Sequence, residues 1–88
     1  MNDPFVHARA ASVAAKLLTL PDDAARLSRA YQLLYQRQPL QREAALATEL
    51  LASYQAELQS QPAGERGKIA WAALIRVLLS ANEFVYVD

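Results

Sequence analysis

The sequence predicts an all-α fold: a four-helix bundle with a central apolar fourth helix and a short extended C-terminal tail. Prolines divide the chain at intervals of 17 to 23 residues. The segments between them are rich in Ala, Leu, Gln, Arg and Glu, which favour helices. Apolar residues recur in these segments at helical spacing, which predicts one buried stripe on each helix. The dividing prolines are Pro4, Pro21, Pro39 and Pro62.

The first two helices are predicted over about residues 4–20 and 22–36, and a proline follows each of them. Asp3 is a plausible N-cap for the first helix, because its side chain can accept from a free backbone N–H. Asp22 and Asp23 begin the second helix, where the helix dipole favours negative charge.

The third helix is predicted over about residues 41–60, with a weak N-cap because no Ser, Thr, Asp or Asn stands at its start. Residues 62–67 are predicted to form a turn, and the fourth helix to run over about 67–80. Arg76 is the one charged residue between positions 69 and 79. A helix that is apolar nearly all round belongs in the middle of an assembly. Either the other helices surround it, or one of its sides meets another protein surface.

The last six residues, 83–88, have the pattern of an extended segment. Phe84 and Tyr86 share one face of it, and the two valines lie on the other. A lone strand leaves backbone groups unpaired. We expect the tail either to dock on its own bundle or to contact a neighbouring domain or a second copy.

The large mid-chain aromatic residues lie at helical spacing, which predicts core or half-buried interface positions. A sugar-binding platform at Tyr35 and Trp71 is the alternative. The predicted interaction residues come from the tail and from this group: Phe84, Val85, Tyr86, Val87, Trp71 and Tyr35.

Composition excludes several classes of site. The 88 residues form at most one domain, 1–88, and carry nine Lys and Arg against nine Asp and Glu. There is no cysteine, which excludes disulfides, thiolate metal sites and cysteine nucleophiles. One histidine leaves no multi-histidine metal site. No apolar run approaches the roughly 18 residues of a membrane span. We predict no cofactor and no metal.

The candidate catalytic groups have simpler explanations. His7 falls four residues after Asp3, which places a carboxylate beside a base, but a helix N-terminus disfavours the imidazolium that such a base forms. Asp22 and Asp23 point about 100° apart on a helix, so capping explains them better than paired catalysis. We therefore predict no catalytic residue and no enzyme activity. The third helix presents carboxylates that we interpret as solvated: Glu43, Glu49 and Glu57.

Four arginines surround the second predicted turn and could form a basic patch, and the order helix, short turn, helix is also that of helix–turn–helix DNA-binding proteins. A net charge of zero and the acidic third helix argue against nucleic-acid binding. Arg37 is better explained as structural, either bridging to Glu43 across the turn or donating to the last carbonyls of the second helix. The other three arginines around this turn are Arg26, Arg29 and Arg42.

An ordered set of segments resembles a known bacterial family. It comprises the first six residues, which read Met1-Asn2-Asp3-Pro4-Phe5-Val6, the stretches Asp22–Leu27 and Ala30–Leu33, the Arg37-x-Pro39 turn with Glu43, and the last eleven residues, Leu78–Asp88. This set is similar to the C-terminal end of the planctomycete cytochrome-associated domain of unknown function, also called PSD-one. The resemblance covers essentially the whole chain, and its last eleven residues are its most specific part.

Two positions depart from that family. It usually has Gly where this chain has Gln36, which argues against a left-handed helix cap there, because Gln is sterically disfavoured in that conformation. It more often has Asn at the position of Ser80. A runner-up resemblance is to a surface-layer-associated helical domain of bacteria, which fits the middle of the chain and misses the Tyr-Val-Asp ending.

The resemblance implies a module that closes a longer, extracytoplasmic protein, with Met1 internal to it and no catalytic residue in this segment. We expect a non-enzymatic structural or protein-interaction module that packs on the rest of a parent chain or on a second copy. The alternatives are an accessory part of a secreted enzyme or redox protein whose active site lies elsewhere, and a small DNA-binding domain.

Overall fold

The computed structural model describes residues 4–81, which form four α-helices. They are α1 (Pro4–Leu17), α2 (Asp23–Tyr35), α3 (Gln41–Glu57) and α4 (Ala63–Ser80). The all-α bundle predicted from proline spacing and apolar periodicity is therefore confirmed. The predicted tail, including Phe84, Val85, Tyr86 and Val87, lies outside the described residues.

The link between α1 and α2 is a tight turn closed by the chain's own polar groups. The N–H of Leu20 donates to the carbonyl of Leu17 at 3.0 Å, which continues the last turn of α1. Asp22 is extended and caps α2, because its Oδ1 accepts from the N–H of Ala25 at 2.8 Å. The predicted capping role of Asp22 is confirmed.

The end of α2 differs from the sequence expectation. Gln36 is its C-cap and adopts the left-handed conformation, with φ 56° and ψ 36°. The prediction that glutamine at this position argues against a left-handed cap was therefore wrong, because Gln36 adopts the backbone conformation that glycine usually adopts at a helix end. The Gln36 side chain donates to the carbonyl of Leu33 at 3.2 Å, which satisfies one of the last carbonyls of α2.

The fourth helix begins earlier than predicted. The turn expected over 62–67 is wrong, because α4 starts at Ala63 and both glycines lie inside its first turns. The N–H groups of Glu65 and Arg66 donate to the carbonyl of Pro62 at 2.9 and 3.1 Å. The proline thus precedes the helix without removing a bond from it, and the glycines do not interrupt it.

The core is centred on α4, as its apolar composition predicts. This helix packs closely along α1 and also against α3 and α2. From α1 come Ala10 and Ala14, whose small buried side chains allow two helices to approach closely. The buried residues of α4 are Ala70, Trp71, Ala72, Leu74, Ile75, Leu78 and Leu79.

Candidate functional site

The turn between α2 and α3 is held by a two-point ion pair. Arg37 Nη1 and Nη2 donate to Glu43 Oε1 and Oε2 at 2.8 and 2.9 Å. This geometry is the strong bidentate form of an arginine–carboxylate pair. The predicted Arg37–Glu43 bridge is confirmed. The guanidinium also lies over the rings of Tyr31 and Tyr35, at 5.4 and 5.6 Å from their centroids.

Glu43 also caps α3. Its carboxylate accepts from the N–H of Leu40 at 2.8 Å, which satisfies the backbone donor of the N-cap residue itself. The Arg37 hydrogen bond, supported by the Leu40 N–H, lowers the pKa of Glu43 to about 2, although burial acts in the opposite direction. The sequence interpretation of Glu43 as a solvated residue was therefore wrong, whereas the predicted weak N-cap is confirmed, because Leu40 makes no side-chain cap hydrogen bond.

Two of the predicted interaction residues make contacts inside the bundle. Tyr35 is half-buried and donates its hydroxyl to the carbonyl of Leu78 at 2.7 Å, which joins α2 to the end of α4. Its ring meets Tyr31 edge-on, with centroids 5.2 Å apart. Trp71 is 1% exposed, and its Nε1 donates to Asp23 Oδ1 at 3.2 Å. Trp71 is therefore a core residue, and its indole has no face open to a ligand such as a sugar.

An apolar groove runs between α3 and α4 and defines the first candidate surface, the α3–α4 face. Leu46 is 56% exposed and Val77 is 41% exposed, and the two line the same groove. One side of the apolar fourth helix is therefore open rather than surrounded. The apolar residues that define the face are Leu46, Leu50, Leu74, Val77, Leu78 and Ala81.

Sequence periodicity missed part of this face. Leu46 falls outside the buried stripe of α3, which includes Ala47 and Leu51. The spacing of Leu46 and Leu50 is the signal that was available, because residues four apart share one side of a helix. Leu46 and Leu50 form a second row of apolar residues beside the buried stripe, so the apolar side of α3 is wider than the part of it that packs in the core.

The second candidate surface is a groove of about 620 Å³ between α1 and α2, here called the α1–α2 groove. Its apolar walls include Phe5, which is 72% exposed, and Leu33, which is 41% exposed. Three cationic side chains line it, namely Arg9, Lys16 and Arg29. Among the residues that the structure describes, no carboxylate lines this groove.

Of the residues considered for catalysis, His7, Asp22 and Asp23 line neither groove, whereas Glu43 lines the α3–α4 groove. His7 is exposed on the first turns of α1, and Asp3 lies outside the described residues. Asp23 accepts from Arg26 Nη1 at 2.8 Å as well as from Trp71. No group of three His, Asp or Glu side chains suited to a metal ion occurs between residues 4 and 81.

No family model, no curated protein and no solved structure matches this chain. The PSD-one resemblance therefore stays a prediction from the segments given above. Over the described residues, no helix combines the length and the apolar character that crossing a membrane requires.

Proposed function

We propose that this chain is a non-enzymatic structural or protein-interaction module that packs through its α3–α4 face on another protein surface. The observation that carries the proposal is that Leu46 on α3 and Val77 on α4 are both exposed and both line one groove. Exposed apolar residues that gather around one groove are typical of contact sites on folded domains. The partner surface belongs either to the rest of a parent protein or to a second copy.

The energetics support a contact at this position. Complete burial of a leucine or valine side chain contributes about 1.5–3 kcal/mol, so covering the exposed halves of Leu46 and Val77 contributes about 1 kcal/mol each. The Arg37–Glu43 pair lies at the edge of the same groove, because Glu43 is one of its lining residues. An apolar centre beside a fixed polar edge is the usual anatomy of a protein interface.

The local rigidity of the face also favours this function. Tyr35 ties α2 to the carbonyl of Leu78 on α4, and Arg37 ties the end of α2 to the start of α3. These bonds hold three helices in one arrangement beside the groove. A preformed surface loses little conformational freedom on binding, which favours affinity.

The DNA-binding alternative has less support. Arg26 and Arg37, two of the four arginines around the second turn, are engaged with Asp23 and Glu43. Both bonds use guanidinium N–H groups that phosphate contacts would need. We therefore propose that the partner is a protein and not DNA. This proposal is consistent with the extracytoplasmic parent protein that the PSD-one resemblance implies.

Site-specific photo-crosslinking tests the proposal. A photoreactive phenylalanine analogue at Leu46 should form a covalent adduct with a defined protein segment when the native protein is irradiated in its source cells. The peptide identified by mass spectrometry then distinguishes a parent domain, a second copy and a separate partner. The same analogue at Ala45, an exposed neighbour outside the groove, is the matched control.

Sedimentation velocity gives a second measurement on the purified chain. If the partner is a second copy, the wild type should associate between about 1 and 500 µM, and L46K with V77K should abolish association while A45K retains it. Equal crosslinking yields at Leu46 and Ala45 would exclude the α3–α4 face as an interface.

A further inference from the structure

The α1–α2 groove carries a charge pattern that selects its occupant. Its walls are apolar, and Arg9, Lys16 and Arg29 supply three positive charges. Carboxylates elsewhere pair with cations, as in the Arg26–Asp23 and Arg37–Glu43 pairs. A ligand suited to the groove is therefore an apolar segment that carries negative charge.

The end of this chain has that chemistry. Four apolar residues, 84–87, stand between Glu83 and Asp88. In an extended conformation this alternation would place Phe84 and Tyr86 on one side of the backbone, so that two aromatic rings could enter a groove together. The acidic residues lie at the two ends of the segment, and the cations of the groove are likewise spread along it, from Arg9 to Lys16 on α1.

The C-terminal end of α4 lies beside one end of the groove. Leu79, near the end of α4, lines a smaller cavity together with Phe5, Val6 and Arg9. Phe5 and Arg9 also line the α1–α2 groove, so the two cavities adjoin. The chain therefore leaves α4 next to the end of the groove that lies at the start of α1.

The lengths also agree. The groove follows α1 and the turn after it, with lining residues between Phe5 and Leu20. Fifteen residues at the helical rise span about 22 Å. The seven residues 82–88 span about 23 Å when they are extended. An extended segment of seven residues is therefore long enough to run along the groove.

We propose that residues 82–88 dock in the α1–α2 groove of their own chain, with the aromatic side chains on its apolar walls and the acidic residues near its cations. The groove is then an intramolecular receptor that fixes residues 82–88, and the docked segment covers Phe5 and Leu33. This inference does not rest on the proposed function, because the α3–α4 face is a different surface.

Limited proteolysis of the 88-residue chain tests the docking. Chymotrypsin cleaves after Phe84 and Tyr86, and mass spectrometry resolves the loss of residues 85–88 or 87–88. K16E with R29E should accelerate these two cleavages at least tenfold, because repulsion releases the segment. D88K in that background should restore protection. Circular dichroism should show that each variant retains the helix content of the wild type.

The matched control is R42E with K68E, which makes the same change in net charge at exposed positions outside the groove. It should leave the cleavage rates unchanged. Equal rates in the wild type and in the groove variant would overturn the proposal, as would equal acceleration by the control. Protection that increases with protein concentration would overturn docking in the same chain and indicate a second copy.

Cysteine crosslinking supplies a measurement that does not depend on charge, since the chain has no native cysteine. S12C with Y86C should form an intramolecular disulfide under mild oxidation, because Ser12 lines the groove. A disulfide requires the two Cα atoms to approach within about 4.4–6.8 Å. A45C with Y86C is the control, and disulfide formation at equal rates in the two pairs would contradict specific docking.

Discussion

Gln36 allows a direct test of backbone strain at the end of α2. Its φ of 56° lies in the left-handed region, where a side chain costs roughly 1–2 kcal/mol that glycine avoids. Glycine also gives the unfolded chain more freedom, which offsets about 0.4–1 kcal/mol of that gain. The Gln36 hydrogen bond to Leu33 is exposed, so water replaces it. We therefore expect Q36G to stabilise the protein by about 0.5–1 kcal/mol.

The assay is urea denaturation at pH 7 followed by circular dichroism, with a thermal melt in parallel. For a domain of this size the expected gain corresponds to roughly 3–6 °C in Tm. Gln32 is exposed within α2, so Q32G is the matched control and should destabilise by about 0.5–1 kcal/mol. Q36A should leave stability nearly unchanged, because alanine keeps the strained conformation.

The refuting result is equally specific. If Q36G lowered stability as much as Q32G does, the left-handed cap would not be a source of strain. Glycine would then act at both positions only through the unfolded chain. A crystal structure of Q36G with the α2–α3 turn unchanged would verify that the comparison concerns one backbone conformation.

Two further predictions concern the core and the ion pair. W71A should destabilise by about 3–5 kcal/mol because the indole is fully buried, and a loss under about 1 kcal/mol in urea melts followed by circular dichroism would contradict its central position. Glu43 has a pKa of about 2 when folded, below its unfolded value of about 4.5, so its pairing with Arg37 stabilises the fold above pH 4.5 and is lost as pH falls toward 2. The pair is partly exposed, so E43Q should cost about 1 kcal/mol at pH 7, and urea melts should show that difference vanishing near pH 2; a difference independent of pH would refute the assignment.

The sequence anticipated contacts that depend on neighbours in the chain. Asp22 as a cap and Arg37 as a bridge to Glu43 involve partners three and six residues away. Such short separations leave few arrangements, so residue type and spacing suffice. The start of α4 was missed because glycines usually interrupt helices, whereas here the carbonyl of Pro62 accepts from the first turn.

Contacts between distant segments were not available from the pattern. Trp71 donates to Asp23 across 48 positions, and Tyr35 donates to Leu78 across 43. Periodicity indicates that each side chain faces inward, but the rotation and height of one helix against another decide which group it meets. The same geometry sets the exposure of Leu46, because its helical position alone does not show where the neighbouring helix ends.

The amino-acid sequence by itself therefore determined the class of fold, the number of helices, the Asp22 cap and the Arg37–Glu43 bridge, because these follow from local propensity and short-range bonding. The tertiary structure alone decided which apolar residues remain open, as at the α3–α4 face, and which cations gather around one groove. Both are properties of how four helices pack, and helix packing depends on the whole set of side chains at once.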